Sequence, residues 1–252
     1  MSTAFETNSE YMVVMKNWHA EAGGCHFEPR VKDIILSHCK PGRLILDAGC
    51  GDGSPCRWFA ARNPRTSFIG VDISPIGIEM ASSLPNAHFE VDSLRNLPFP
   101  SGSFDFIYCN SVLEHVKDWK QALREMYRVV KPGGEVLVRL GNAGRIDKKL
   151  GRALLDVILS RNKEIACTPS FELEEGNRQQ HMTNWDEQEI PSDVLEAQMK
   201  HCGFNMVLVS TCQDELKDGS SGLKRRLLSL IGSLNFWPFN HLGYTSILVG
   251  RK

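Results

Sequence analysis

Residues 44–54 read LILDAGCGDGS. An apolar run ends in an aspartate, and glycines then alternate with other residues before Ser54-Pro55. Glycines at this density fit a tight loop that brings backbone close to something else, because glycine has no Cβ to keep a neighbour away. Strand, glycine loop and helix in succession form a ligand-binding layout of open α/β sheets, where the ligand sits at the carboxyl ends of the strands.

The chain on either side keeps the same rhythm. RLILDAG, SFIGVDI, HFEVDSL, FDFIYCNS and GEVLVRLG are short apolar runs bounded by Gly, Pro, Asn or Asp, and they read as strands. PRVKDIILSHC, SPCRWFAARN, SPIGIEMASSL and DWKQALREMYRVV read as the helices around them, with Ser74 and Pro75 opening the third and KPGG closing the fourth. Such alternation predicts a doubly wound parallel sheet covered on both faces. After Leu140 the rhythm breaks. Residues 141–190 read as an insertion, PSDVLEAQMKHCGF as a helix ending at Gly203, and FNMVLVS and YTSILVGRK as two closing strands around a second insertion at 211–242. The whole chain then reads as one domain, with helices or a lid at 1–40, a core at 41–140 and the C-terminal elements at 191–252.

The loop narrows the ligand. A Walker loop needs G-x-x-x-x-G-K-[ST], and no lysine stands here. A dinucleotide loop needs G-x-G-x-x-G/A, but the third position is Ser54 and the glycine comes early, at Gly53. Asp47, just before the loop, is unfavourable for a pyrophosphate and suits a cation or an ammonium group. S-adenosylmethionine carries a sulfonium and an α-amino group and no phosphate.

Composition excludes other classes. The net charge of −1 gives no global case for nucleic acid as partner. The eight cysteines form no C-x-x-C pair, no zinc spacing is recognisable and no metal is expected. Neither a secretion signal nor a membrane-spanning run is legible. A cytoplasmic protein with free thiols is the expectation.

Together, D-x-G-x-G-x-G at 47–53, FIGVDIS, VDSLRNLPFPSGSFDFIYCNSVLEHV and ALREMYRVVKPGGEVLV resemble the successive motifs of class I S-adenosylmethionine-dependent methyltransferases, of the type 11 branch, over roughly residues 40–140. The resemblance implies a Rossmann-like α/β fold. Its seven-stranded sheet would be mostly parallel with the last strand antiparallel, with helical insertions after strands five and six. It also implies roles. Asp47, Gly49, Cys50 and Gly51 would shape the pocket for the methionine part. Asp72 would hold the ribose and Ile73 would pack on adenine. Asp92 would accept from the adenine amino group, the backbone of Ser93 would donate to a ring nitrogen, and the Asn110 carbonyl would meet the ligand's amino group. Tyr11, Trp18 and Arg30 stand where some relatives close over the methionine part, with helix packing as the other reading.

Methyl transfer from a sulfonium is an in-line displacement in which the protein mainly orients the nucleophile. His115, after the fourth strand, is the candidate base, with a structural role as the competing reading for both it and Glu114. His181 and His241 lie in the variable stretches and are candidates for substrate contact. Asn110-Ser111-Val112-Leu113 departs from the Asn/Asp-Pro-Pro-Tyr/Phe of enzymes that methylate nucleobase or amide nitrogens, which leaves oxygen, aliphatic nitrogen and carbon open. The two basic–apolar stretches, GRIDKKLGRALLDVILSRNK and GLKRRLLSLIGSLNFWPF, read as an amphipathic lid, or as a surface for an anionic membrane or a lipid-linked acceptor. A small molecule, sugar or lipid-linked glycan is the expected acceptor. A protein or RNA methyltransferase and a non-catalytic S-adenosylmethionine-binding subunit are the alternatives.

Overall fold

The computed structural model describes residues 24–141, 188–212 and 245–252. Residues 1–23 of the expected N-terminal helices or lid, most of both insertions, and Tyr11, Trp18, His181 and His241 lie outside the described residues. In chain order the elements are α1 (Pro29–His38), β1 (Leu44–Ala48), α2 (Ser54–Arg62), β2 (Ser67–Asp72), α3 (Pro75–Met80), β3 (Ala87–Val91), β4 (Phe104–Asn110), a 3₁₀ turn (Leu113–His115), α4 (Trp119–Val129), β5 (Val130–Gly141), α5 (Ser192–Cys202), β6 (Asn205–Cys212) and β7 (Thr245–Arg251).

Seven strands form one sheet in the order β3-β2-β1-β4-β5-β7-β6. The first five pair in parallel, and β7 is antiparallel to both of its neighbours. This is the doubly wound Rossmann-like arrangement that the alternation predicts. The chain reverses direction across the sheet between β1 and β4, so a crevice opens above their carboxyl ends. The central strands are apolar throughout because both faces are covered. On one face α4 and α5 pack Leu123, Met126, Leu195 and Met199 against Leu46, Ile107 and Val138. On the other, α1 and α2 pack Val31, Ile35, Cys56 and Phe59 against Ile45, Phe106 and Leu137.

Two element boundaries differ from the sequence reading. The helix expected over SPIGIEMASSL ends at Met80, and Leu84, which precedes Pro85, is bridged to Ala87 instead. A residue before proline is pushed away from helical angles. The fifth strand starts earlier than GEVLVRLG. Val130 already pairs with Phe104, residues 131–134 bulge out, and pairing resumes with Glu135 opposite Phe106. Gly133 takes φ +79° in the bulge, and a Cβ at Gly134 would stand 2.9 Å from the Asp105 carbonyl.

The ALREMYRVV segment owes its charges to a structural bracket. Arg128 donates Nε and Nη2 to Glu125, and its Nη groups also reach the carbonyls of Phe99 and Leu97 at 2.7 and 2.9 Å. Glu125 in turn accepts from the Leu97 amide at 2.9 Å. The bracket ties α4 to the loop before β4.

Candidate cofactor site

The glycine loop leaves β1 at the crevice and turns into α2. Gly49, Gly51 and Gly53 all have positive φ, at 93°, 55° and 71°. Gly49 needs glycine on two counts, because a Cβ there would also lie 2.4 Å from Val112 Cγ2. The loop's amides point at the protein. Gly49 and Cys50 donate to the Val71 carbonyl, Gly53 to the Cys50 carbonyl, Gly51 to Asp72 Oδ2 and Ser54 to Asp52 Oδ1. A phosphate-binding loop works through amides left free for the anion. Here those amides are engaged, which agrees with the missing lysine and the early glycine.

Carboxylates surround the loop instead. Asp47 is buried and accepts from Tyr108 Oη at 2.8 Å. Burial raises its pKa to about 8, the Tyr108 hydrogen bond opposes that rise, and the charges of Asp72 and Asp52 add to it. The carboxyl therefore carries a proton for much of the time at neutral pH. The sequence argument took Asp47 as a full negative charge, and the structure qualifies it: the charge is expressed only when something positive draws it out. Asp72, at the end of β2, accepts at Oδ2 from the Gly51 amide at 2.8 Å and at Oδ1 from the Ser74 amide at 2.9 Å. Burial raises its pKa too, against the pull of those amides. The Ile73 amide bonds the carboxylate as well, so three backbone amides hold Asp72 in place.

The other expected residues gather on the same rim. Ile73 is half-buried next to Asp72. Asp92 follows β3, and its amide donates to the Asp72 carbonyl at 3.0 Å. Its carboxylate accepts from Ser93 N–H at 2.7 Å, so that amide reaches a ligand only if Asp92 turns aside. The Cys50 amide donates to Val71 of β2 and its carbonyl accepts from Gly53, which leaves Cys50 a role in the loop's shape rather than as a free donor. Asn110 ends β4 opposite Arg139 of β5. His115 closes the 3₁₀ turn beyond it, and desolvation lowers its pKa to about 4. Its imidazole is neutral at physiological pH and a weaker base than an ordinary histidine. Arg30 lies near the same edge but bonds Ser210 Oγ of β6.

Sequence reasoning missed Tyr108, Ser111, Arg139 and Glu28. Tyr108 is hidden inside an apolar strand, and no local pattern marks the other three. Ser111 is the one non-glycine with positive φ among the described residues, at 55°. Its amide donates to the Arg139 carbonyl at 2.8 Å and its hydroxyl accepts from Arg139 Nη1.

The crevice fits S-adenosylmethionine on its own terms. Asp47, Asp52 and Asp72 stand together around the loop, a setting that draws a cationic group, and glycine at 49, 51 and 53 keeps side chains off much of its backbone. Residues 46–138 match the family described as "Methyltransferase domain", of type 11. The chain is 37% identical over 107 residues to the 2-methyl-6-phytyl-1,4-hydroquinone methyltransferase of Synechocystis, covering 41% of this chain and 33% of that protein. It is 32% identical over 114 residues to the malonyl-[acyl-carrier protein] O-methyltransferase of Serratia marcescens, covering 45% and 44% respectively. The chain thus spans less than half the length of the curated relatives it matches. Among solved structures, the Haloferax volcanii complex of the Trm112 methyltransferase activator with a methyltransferase aligns over 100% of this chain and 98% of that one. Its TM-score is 0.63 and its identity 15%, a likeness of fold. The core of this chain, residues 46–138, belongs to the type 11 methyltransferase family of the class I, Rossmann-like fold.

Proposed function

We propose that the chain transfers the methyl group of S-adenosylmethionine to a hydroxyl of a small molecule, sugar or lipid-linked glycan. The observation that carries methyl transfer is the loop at 47–53. Its amides are engaged with protein acceptors and its surroundings are carboxylates, within a stretch that matches the methyltransferase family. When bound, the cofactor supplies an electrophilic methyl on sulfur, so the chemistry asks for little covalent help from the protein.

The chain's residues have the following proposed roles. Asp72 takes the ribose hydroxyls, and Ile73 and Asp92 flank the adenine. Asp47 and the Asn110 carbonyl meet the positive methionine end, with Gly49, Cys50 and Gly51 forming the wall beneath it. His115 orients the acceptor through a hydrogen bond. A pKa of about 4 suits orientation better than holding a proton. The acceptor's proton then leaves to solvent as the bond forms. The turn after β4 lacks the Pro-Pro pair, which speaks against a nucleobase or amide nitrogen and is compatible with a hydroxyl acceptor. Both relatives described above carry methyltransferase names, one for a hydroquinone and one for an O-methyl transfer.

A tritiated-methyl transfer screen over sugars, lipid-linked glycans, phenols and amines tests the reading. Label is expected on a hydroxyl acceptor and absent with Asp72→Ala. Label confined to a nucleobase or an amide nitrogen would overturn the acceptor class. Calorimetric binding of NAD with no binding of S-adenosylmethionine would overturn the cofactor.

A further inference from the structure

Arg139 stands near the carboxyl end of β5 and reaches two partners that are distant in sequence. Its Nη1 donates to Ser111 Oγ, while Nε donates to Glu28 Oε1 at 3.2 Å, with both charged side chains largely buried. Ser111 holds φ +55°, a region that costs an L-residue of order 1 kcal/mol or more and persists only where the surroundings enforce it. What enforces it is Arg139, which binds Ser111 twice, by backbone carbonyl and by side chain. The neighbours of Ser111 are the residues that matter for the crevice. Asn110 precedes it. Val112 follows it and closes on Gly49, where a Cβ would stand only 2.4 Å from Val112 Cγ2.

We propose that Arg139 is a positioning residue of the cofactor crevice: by bridging Glu28 and Ser111 it holds the turn after β4 against the glycine loop. This rests on the reading of that crevice as the S-adenosylmethionine site. Arg139 does not touch the ligand in this scheme. It acts through Ser111, which aims the Asn110 carbonyl and seats Val112 on Gly49. Glu28 provides the counter-charge and connects the turn to the start of α1. A second tie beside it, Arg30 to Ser210, fixes the same short segment to β6. The start of α1, with Glu28 before it and Arg30 in its first turn, is therefore fastened to β5 and to β6. Lysine is a poor substitute for Arg139, since one ammonium cannot reproduce a planar fork aimed at two partners.

The test is a binding cycle with S-adenosylhomocysteine by calorimetry, on wild type, Arg139→Ala, Ser111→Gly and the double variant. Thermal unfolding of each reports folding separately. Arg139→Ala should weaken binding about tenfold, the size expected when a left-handed residue loses its restraint. Ser111→Gly should bind within about threefold of wild type, because glycine adopts φ +55° unaided. In the Ser111→Gly background, Arg139→Ala should then cost less than about threefold. A purely structural arginine would lose the same factor in both backgrounds, and that result overturns the proposal, as does Arg139→Ala binding like wild type. If Arg139→Ala does not fold, Arg139→Gln keeps the stem and one donor and is judged by the same two outcomes. Wild type binding neither S-adenosylhomocysteine nor S-adenosylmethionine would instead refute the cofactor reading, on which the proposal depends.

Discussion

Gly49→Ala separates the two demands that the loop makes on one residue. The first is conformational, since φ +93° lies where an L-residue is strained by about 1–2 kcal/mol. The second is steric. An ideal Cβ would lie 2.4 and 2.6 Å from the two Val112 γ-methyls and 3.0 Å from Val112 Cβ, where carbon atoms rest comfortably at about 3.5–4.0 Å. Rotating the valine does not help, because both methyls and their branch point are already too close. The turn must move by about an ångström, at an overpacking cost of about 1–3 kcal/mol. The sum is about 2–5 kcal/mol, or a fall in Tm of roughly 4–20 °C for a chain of this size. Thermal unfolding of Gly49→Ala, Val112→Ala and the double variant partitions it. Val112→Ala should recover the larger part of the steric share in the double variant, the part due to the γ-methyls, and leave the conformational share and the 3.0 Å approach to Cβ. Affinity for S-adenosylhomocysteine should fall with Gly49→Ala and recover in part. A Tm within 1 °C of wild type, or a double variant no better than the sum of the singles, would refute the reasoning.

Three further outcomes are expected. Asp72→Ala should weaken S-adenosylmethionine binding by more than about tenfold, since it removes both the hydroxyl acceptors and the carboxylate that restrains Gly51; calorimetry measures it, and unchanged affinity would refute the ribose assignment. The Asp47 carboxyl has its folded pKa at about 8 against an ordinary 3.8, so the native state holds a proton that the unfolded chain gives up. Stability of the ligand-free protein should therefore fall as pH rises from about 4 to 8 and level off above. Urea midpoints over that range should lose much of this slope in Asp47→Asn. Glu125→Ala should destabilise by about 1–3 kcal/mol, because it orphans the Leu97 amide and removes the carboxylate that Arg128 grips; chemical denaturation reads it.

The cofactor half of the molecule was legible because its signals are local. A buried strand, a glycine loop and the start of a helix each leave a mark within a dozen residues, and LILDAGCGDGS spans all three. The carboxylates at Asp47 and Asp72 could be named for the same reason. Their partners could not. Tyr108 under Asp47 is 61 residues away in sequence, and Glu28 beside Arg139 is 111 away. Hydrogen bonds across such separations are set by sheet order, which no short pattern encodes. Charge state was the least readable property. Asp47 and His115 have ordinary reference values as residue types, and burial moves one up and the other down.

At the far side of the sheet, Thr245 opens β7 paired with both Gly141 and Cys212, the last residues of β5 and β6. The stretch 142–187 thus departs from the same rim as the stretch 213–244. It returns where Gln188 bonds the carbonyls of Glu114 and Val116. The ends of 213–244 are clamped about one strand spacing apart, by ladder bonds that exist whatever lies between them. Closing a chain between fixed neighbours depends only logarithmically on its length, so doubling it costs about 0.6 kcal/mol. The sheet is in effect a socket in which whatever joins these fixed ends can be lengthened or exchanged at little thermodynamic penalty. The joining segments can then vary while the strands that carry the glycine loop stay as they are.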